Sequence, residues 1–489
     1  MCIGIVPIKS NEYDTLYFAN SIIERVRTRA RLKTFSEIHI SCKSFYGRTV
    51  MQRRSKLFLK AFITASFAVQ SLFAMGDADT MSKNTATAGP VVITYYTWDD
   101  AAHKSLIEKF NATHSNVRVE GKILPAADYE TKIATLLSGR AEMDCFMEKR
   151  QTDAFTRMDN GFIEPLNKYI DKTGKPNTAV EAYKTSLSYD GKIMGIPWRG
   201  GAYYTYFNKN VFKKAGLKTP DWYAERGEWT WAKFEELARA IHAADSSLIG
   251  ASIYFWGSNA TYMANQAGET FISNAGKIGA MDNLLKQIAM RKRLESVGAM
   301  WSLIDMKVTK THYSKQFYDG KLGMLLIGEW FPGQMTTGER DGLLAAGFKK
   351  ADYGITRLPC DKQRYVTMGL PTFNSITSYS KNKDAAFEFI SWMGGAEAAS
   401  LAASFGVLPA VSSPEVEKIL SGSLPDASSV KYYLEPKVSN NTATFSKYGS
   451  RVETVINTMQ EAYLLNKLTD AQFREQWAKE MKNIVDTSY

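Results

Sequence analysis

The segment between residues 91 and 147 alternates between strand patterns and helix patterns, and this alternation limits the possible folds. Three parts are rich in β-branched, aromatic or alternating apolar residues, which predicts strands, and two parts carry apolar residues at helical spacing. The predicted strands are Val91–Thr97, Val117–Ile123 and Asp144–Met147, and the predicted helices are Ala101–Asn111 and Tyr129–Leu137. The resulting order β-α-β-α-β predicts an open α/β sheet.

Polar and aromatic residues follow two of these predicted strands, where open α/β sheets bind their ligands. Trp98, Asp99 and Asp100 follow the first strand, and Glu148 and Arg150 follow the third. We expect some of these side chains to contact a ligand. The alternatives are an exposed turn with an aspartate that caps a helix, and surface salt bridges.

The stretch from Gly191 to Asn210 is dense in Gly, Pro and aromatic residues and separates two segments with α/β patterns. Asp190-Gly191 is a turn signal, and a strand pattern runs from Tyr203 to Asn208. We interpret the stretch as a crossing between two lobes along the floor of a ligand cleft. Trp198 and Arg199 then line the cleft or, alternatively, pack inside the hinge.

Length and charge distribution indicate several domains and an N-terminal leader. A chain of 489 residues exceeds what one hydrophobic core usually holds. The formal charge of +11 is uneven, because residues 1–76 contain 12 Lys and Arg against 4 Asp and Glu, whereas the remainder is close to neutral. A nearly neutral main part gives little reason to expect a nucleic acid partner.

Residues 51–76 predict a secretory signal peptide. A basic start at Met51 is followed by a short apolar region and by Ala74-Met75-Gly76, a small-x-small cleavage signal. Residues 1–50 are then interpreted as an upstream start outside the mature protein, and residues 77–90 as a flexible mature N-terminus. The alternative is a cytoplasmic extension with an uncleaved anchor.

Cysteine and histidine usage predicts neither a metal nor another cofactor. Cys145 and Cys360 are the two cysteines outside the leader, and free thiols are expected, although export would permit a disulfide. The five histidines show no metal-ligand spacing, and no CxxC motif occurs.

Several motifs, taken in their order along the chain, resemble one family. They are Tyr189-Asp-Gly-Lys-Ile-Met-Gly-Ile-Pro, Tyr206-Phe-Asn-Lys-Asn-Val-Phe, Thr230-Trp-Ala-Lys-Phe-Glu-Glu-Leu, Gly328-Glu-Trp, Asp384-Ala-Ala-Phe-Glu-Phe-Ile and Gly406-Val-Leu-Pro-Ala. Together they resemble the extracellular solute-binding proteins of bacterial ABC transporters, in the sugar-binding family 1 that includes maltose-binding protein. The resemblance covers residues 91–489.

The resemblance implies a two-lobed periplasmic-binding-protein fold of type II, with a ligand cleft between two α/β sheets. The chain would cross between lobes near residues 200, 354 and 409. The first lobe would contain 91–200 and 354–408, and the second 201–353 and 409–489. A monomeric periplasmic protein would capture a sugar without chemistry and deliver it to membrane permease subunits. No GxxxxGK[ST] motif occurs, so the ATPase must be a separate chain.

The resemblance also implies further ligand contacts. Trp330 matches a position where an aromatic ring commonly stacks on a sugar, and Trp256 and Tyr262 fall in a matching ligand region. The alternative for each is packing in the core. Glu148 stands where maltose-binding protein has an aromatic residue, so the sugar specificity must differ.

Two other functions stay open at this point. The same fold binds polyols, glycerol phosphate and other charged solutes, for which Arg150 and Arg199 would act as anion clamps. A secreted glycosidase would use two carboxylates, for which Asp99 and Glu329 are candidates.

Overall fold

The fold is given by a computed structural model that describes residues 89–98, 101–126, 128–362, 365–369, 371–435, 438–439 and 441–487. The chain divides into two units, Met1–Ala86 and Thr87–Tyr489, and all described residues belong to the second. The predicted segments 1–50 and 51–76, most of 77–90, and Asp99 and Asp100 lie outside the described residues. In the part that is described, no helix is both long enough and apolar enough to cross a membrane.

We number strands and α-helices in chain order. The strands are β1 Val91–Trp98, β2 Val117–Leu124, β3 Cys145–Glu148, β4 Ser188–Tyr189, β5 Lys192–Ile193, β6 Ile196–Arg199, β7 Tyr203–Asn208, β8 Ile249–Ile253, β9 Leu322–Gly328, β10 Tyr353–Arg357, β11 Val366–Thr367, β12 Thr372–Ile376 and β13 Val438–Ser439. The first ten helices are α1 Ala101–Thr113, α2 Tyr129–Ser138, α3 Gln151–Asp159, α4 Asn167–Lys172, α5 Thr178–Ala182, α6 Lys184–Leu187, α7 Lys209–Ala215, α8 Pro220–Ala224, α9 Trp231–Ala244 and α10 Tyr262–Ala267. The others are α11 Asp282–Glu295, α12 Leu303–Thr309, α13 Tyr313–Tyr318, α14 Phe331–Arg340, α15 Lys383–Met393, α16 Ala396–Ser404, α17 Pro414–Ser423, α18 Ala427–Leu434, α19 Gly449–Leu464 and α20 Asp470–Asp486, and 3-10 helices form at Gly257–Thr261 and Lys350–Asp352.

The predicted β-α-β-α-β order is confirmed as β1, α1, β2, α2 and β3. Helix α1 buries Ala102, Leu106 and Phe110, which lie on one face at helical spacing. The sheet carries Ile93 and Tyr95 into the same core. These contacts explain why the alternating pattern folds as layers of helix on sheet.

The first sheet has the strand order β2-β1-β3-β12-β6. Strand β1 is parallel to β2 and β3, whereas β12 is antiparallel to its neighbours β3 and β6. A strand from late in the chain therefore lies between two early strands. The carboxyl ends of β1 and β3 meet at one edge, which positions Trp98 and Glu148 there.

The second sheet has the strand order β10-β7-β9-β8. All seven residues of β9 are buried, because apolar clusters cover both faces of this sheet. Thr230 caps α9, since its side chain accepts a hydrogen bond from the Lys233 N–H at 3.2 Å. We call the first sheet with its helices the first lobe and the second sheet with its helices the second lobe.

In the part of the chain that the structure describes, the chain passes from one lobe to the other at three places. The first passage is at Gly200-Gly201, between β6 and β7. At the third, the Gly200 N–H donates to the Leu408 carbonyl at 2.9 Å, and the Ala410 N–H donates to the Trp198 carbonyl at 3.1 Å. The second passage differs from the prediction near residue 354: β10 pairs with β7 inside the second sheet, so that passage lies between β10 and β12.

The C-terminal helices α19 and α20 pack on each other and on the second lobe. Ile456 and Trp477 from these helices share an apolar cluster with Leu284 of α11. Helix α19 also contacts α3, which follows β3 in the first lobe. This contact brings residues from distant parts of the chain together at the edge of the first sheet.

Candidate functional site

A buried ion pair joins the lobes at the first passage. Nε of Arg199, the last residue of β6, lies 2.5 Å from Oε1 of Glu329, which follows β9. Their side chains are only 5% and 2% exposed. The Tyr433 hydroxyl donates to the Glu329 carbonyl at 2.7 Å, and the Glu329 N–H donates to the Ala202 carbonyl at 2.9 Å. We call Arg199 and Glu329 the crossing pair.

Trp330 follows the crossing pair and is held by its neighbours while part of it stays exposed. Its Nε1 donates to the Tyr313 hydroxyl at 2.8 Å. The Tyr203 ring contacts it edge-on at 5.6 Å between centroids, and the Arg199 guanidinium lies 5.6 Å from its ring centroid. A fixed, partly exposed indole is suited to stacking on the apolar face of a sugar ring.

The other two aromatic candidates of the second lobe lie at different depths. Trp256 is half-buried, and its ring lies 6.2 Å from that of Trp330. Tyr262 is fully buried, contacts Tyr203 edge-on at 5.5 Å and stacks on Trp231 at 6.2 Å. Trp256 thus extends the aromatic surface, whereas Tyr262 lies in the layer behind Tyr203. The ligand roles of both stay predictions.

The two tryptophan candidates of the first lobe are packed around His103. Trp98 is 8% exposed and contacts the rings of His103 at 5.7 Å and Tyr129 at 5.3 Å. Trp198 is 1% exposed and lies 4.9 Å from the His103 ring. Its buried Nε1 has no hydrogen-bond partner among the described residues. Both tryptophans line the core beneath the edge of the first sheet, and their ligand roles stay predictions.

A second group of buried charges lies at the carboxyl end of β3. Arg157 of α3 binds Glu148 through one guanidinium nitrogen and Glu130 of α2 through the other, the latter at 2.7 Å. Arg150, which is half exposed, pairs with Asp153 at 2.7 Å. We call Glu130, Glu148, Gln151, Thr152, Asp153 and Arg157 the α3 cluster.

Several polar atoms of the α3 cluster have no hydrogen-bond partner among the described residues. They are Oε1 of Glu130, Oε1 of Glu148, both side-chain amide atoms of Gln151 and Oγ1 of Thr152. Gln151 is 3% exposed and Thr152 is 6% exposed. Buried polar groups in folded proteins are almost always hydrogen-bonded, so this concentration of unpartnered atoms marks a candidate binding site.

Helix α19 of the second lobe and the segment directly before it cover this site. Phe155 of α3 contacts Phe445 edge-on at 4.8 Å, and a Cβ added at Gly449 would come within 2.7 Å of the Thr152 methyl group. Glu453 is 9% exposed and accepts a hydrogen bond from the Ser258 N–H at 3.1 Å. The α3 cluster therefore lies where the two lobes meet.

Burial changes the protonation of these carboxyl groups. It raises the pKa of Glu148 to about 8, with Glu130 and Asp153 acting in the same direction and Arg157 opposing them. Burial likewise raises the pKa of Glu130 and Glu453.

The sequence pointed to Glu148 and Arg150 but missed Glu130, Gln151, Thr152 and Arg157. Helix α3 is rich in polar residues, and its sequence therefore did not indicate that these side chains are buried. A usable signal was their position directly after a buried strand of an α/β sheet. The ligand roles of Glu148 and Arg150 stay predictions.

The described residues contain no group of three or more His, Cys, Asp or Glu side chains placed to hold a metal ion. Cys145 is a buried free thiol, and Cys360 is a half-buried free thiol. Burial raises the pKa of Cys145, so its thiol is a structural group of the core and not a reactive thiolate.

Comparison with known proteins identifies the family. The family model of bacterial extracellular solute-binding proteins matches residues 95–400, and the chain belongs to this family. A relative from Brucella abortus, named as a binding protein, is 22% identical over 353 residues, which cover 68% of this chain and 76% of the relative.

Solved structures show the same fold. A sugar transporter from Rhizobium etli in an open conformation is 26% identical, with a TM-score of 0.65 and coverage of 82% of this chain and 100% of the other. A substrate-binding protein from Listeria monocytogenes in complex with cycloalternan is 21% identical, with a TM-score of 0.68 and coverage of 81% and 99%. A solute-binding protein from Agrobacterium vitis with bound D-mannitol is 16% identical, with a TM-score of 0.61 and coverage of 81% and 99%.

These matches confirm the predicted resemblance and the two-lobed fold. The protein is a bacterial extracellular solute-binding protein, and the Listeria monocytogenes relative is named as an ABC substrate-binding protein. Its family and structural relatives are binding proteins rather than enzymes, and the family is extracellular.

Proposed function

We propose that the protein captures a sugar or polyol between its lobes by hinge closure and delivers it to the permease of an ABC importer. The family assignment supports the transport role. Structural relatives bound to cycloalternan, α-D-tagatose and D-mannitol support a polyhydroxylated solute.

The observation that carries this proposal is the α3 cluster with its unpartnered buried polar atoms. A solute rich in hydroxyl groups could supply both donors and acceptors to Glu148, Gln151 and Thr152. Hydrogen bonds to charged groups contribute about 1.5–3 kcal/mol each, and exclusion of water by the second lobe strengthens them. Trp330 and Trp256 would cover an apolar face of the same solute.

The arginines of the site argue against a purely anionic solute such as glycerol phosphate. Arg157 is shared by Glu148 and Glu130, Arg150 pairs with Asp153, and Arg199 belongs to the crossing pair. A phosphate would have to displace a carboxylate from each of them. This arrangement favours a solute without net negative charge.

The glycosidase alternative loses one of its two candidate carboxylates. Glu329 is buried in the crossing pair, which holds it as the counter-charge of Arg199. Asp99 lies outside the described residues. Saturable binding without product formation is therefore the expected behaviour.

Hinge closure would take place around the three passages between the sheets. We propose a first lobe that contains 91–200 and returns with β12, and a second lobe that contains 201–357 and the C-terminal helices. Gly201→Pro should shift the open–closed balance more than folding stability, because proline also restricts Gly200. Small-angle scattering with and without solute checks this, and unchanged scattering together with unchanged affinity would contradict it.

We also propose that residues 51–76 direct export to the periplasm and that the mature protein is a monomer there. Expression from Met51 followed by cell fractionation, N-terminal sequencing and light scattering tests both points. A mature N-terminus near Asp77 is the expected result. Retention in the membrane fraction would favour the uncleaved anchor.

The decisive experiment titrates the mature protein with sugars, polyols and glycerol phosphates while Trp fluorescence and melting temperature are recorded. Saturable stabilisation by a sugar or polyol without turnover is expected. A response only to anionic solutes would support the charged-solute alternative, and product formation would support the enzyme.

A further inference from the structure

We infer that the solute carries a protonated amine in addition to its hydroxyl groups, and that the amine binds at the α3 cluster. This inference rests on the proposed function and specifies the class of solute. It follows from the charge balance and the unpartnered atoms of the cluster, two independent observations.

The carboxyl groups in and around the α3 cluster outnumber the cations that face them by one. Glu130, Glu148 and Asp153 come from the first lobe, and Glu453 of α19 faces Arg150 and Asp153 from the second lobe. The facing cations are Arg157 and the half-exposed Arg150, together with Lys149. The exposed Lys149 donates from Nζ to the Ala126 carbonyl at 2.7 Å. Four carboxyl groups thus face three cations, of which only Arg157 is buried.

The unpartnered atoms show where the missing cation belongs. Arg157 occupies one oxygen of Glu148 and one of Glu130, and the second oxygen of each has no partner among the described residues. The amide of Gln151, 3% exposed, is also without a partner. An ammonium group has three donors and no acceptor, which suits carboxylate and amide oxygens.

A neutral sugar could satisfy the same hydrogen bonds, since a hydroxyl both donates and accepts, but it supplies no positive charge. Without a cation, one carboxyl group must keep a proton to avoid a buried negative charge. The raised pKa of Glu148 agrees with this requirement. A solute ammonium takes the place of that proton, so binding of the amine releases a proton from Glu148.

The test uses matched sets of solutes that differ only in whether particular hydroxyl groups are replaced by amines or by acetylated amines. The sets are glucose, glucosamine and N-acetylglucosamine; galactose, galactosamine and N-acetylgalactosamine; and cellobiose, its diamino analogue and its diacetylated form. Affinities for the mature protein are measured by titration calorimetry in two buffers of different ionisation enthalpy. At least one amine should bind about tenfold more tightly than its hydroxyl and acetylated counterparts, with proton release.

Each outcome decides the question. Equal or tighter binding of a neutral counterpart overturns the inference and leaves the proposed function standing. Binding of no amine in any set overturns the inference alone, whereas binding of anionic solutes only overturns both. Tighter amine binding without proton release overturns the assignment of the amine to the α3 cluster.

Glu148→Gln is the informative variant, because it removes the charge and keeps the shape. It should reduce the preference for the amine over its hydroxyl and acetylated counterparts by about tenfold. Glu108→Gln, at an exposed position of α1, is the control and should keep the preference. An unchanged preference in Glu148→Gln overturns the inference, and a folded variant is verified by its melting curve.

Discussion

The crossing pair and the α3 cluster are both buried groups of charges where the two lobes meet, and they differ in balance. In the crossing pair one arginine faces one carboxylate, and hydrogen bonds of the backbone around Glu329 fix it in place. In the α3 cluster one arginine is shared by two glutamates, and neighbouring polar atoms have no partner among the described residues. The balanced group stabilises the contact between the lobes, whereas the unbalanced group is the one for which we propose a ligand.

Removal of one member of the crossing pair should have the largest effect on stability. Glu329→Ala is expected to lower the free energy of unfolding by about 3–5 kcal/mol, since Arg199 loses its buried counter-charge. Chemical denaturation measures this loss. The double variant Arg199→Met, Glu329→Met should recover much of it. A loss below about 1 kcal/mol in the single variant would show that the crossing pair does not stabilise the fold as proposed.

Gln287 and Gln151 are both buried, but only the Gln287 side chain has hydrogen-bond partners among the described residues. Gln287 accepts from the Met263 N–H at 2.9 Å and donates to the Asn259 carbonyl at 2.6 Å. Gln287→Leu should therefore cost about 1–3 kcal/mol, because it leaves both backbone groups unpartnered. Gln151→Leu should cost less stability and instead weaken solute binding by about tenfold. Denaturation and solute titration of both variants check this, and the reverse ranking would contradict the assignment of the site.

The free energy of unfolding should depend on pH through Glu148 of the α3 cluster. The pKa of Glu148 rises from an ordinary value of about 4.3 to about 8 in the folded protein, so the folded state binds the proton more tightly. This contribution is fully present below about pH 4 and is lost as the pH rises through about 8. The wild type should thus lose stability relative to Glu148→Gln across this range. A parallel course of the two pH profiles would show that Glu148 titrates normally.

Loss of an exposed ion pair should have the smallest effect on the free energy of unfolding. Lys104 and Glu108 lie 3.9 Å apart on α1 with side chains 77% and 64% exposed. Glu108→Gln should change the free energy of unfolding by less than about 0.5 kcal/mol. A larger change, measured under the same denaturation conditions, would show that exposed ion pairs stabilise this protein more than their exposure predicts.

Local patterns in the sequence were sufficient for the first β-α-β-α-β unit and for several turns and helix ends. The turn at Asp190-Gly191 forms with positive φ at both residues, and α15 ends at Met393, directly before the pair Gly394-Gly395. These features depend on interactions within a few residues, so the amino-acid types alone specify them.

Partners far apart in the chain were not predictable in the same way. The pattern of Tyr353–Arg357 fits a buried strand in either sheet, and only its pairing with β7 places it in the second lobe. In the same way Arg157 reaches Glu148 because α3 packs back over β3, and Glu453 approaches from a helix about three hundred residues further on. Such contacts arise from tertiary packing, for which a single sequence gives no local signal.

The position of β12 between β3 and β6 has a consequence for the order in which the molecule folds. Until residues 372–376 have been synthesised, β3 and β6 face a gap that is one strand wide. The first two hundred residues therefore cannot complete their own sheet, and the closing contacts have a high sequence separation, which slows folding. A nascent chain of this protein therefore keeps an incomplete first sheet until β12 has been made.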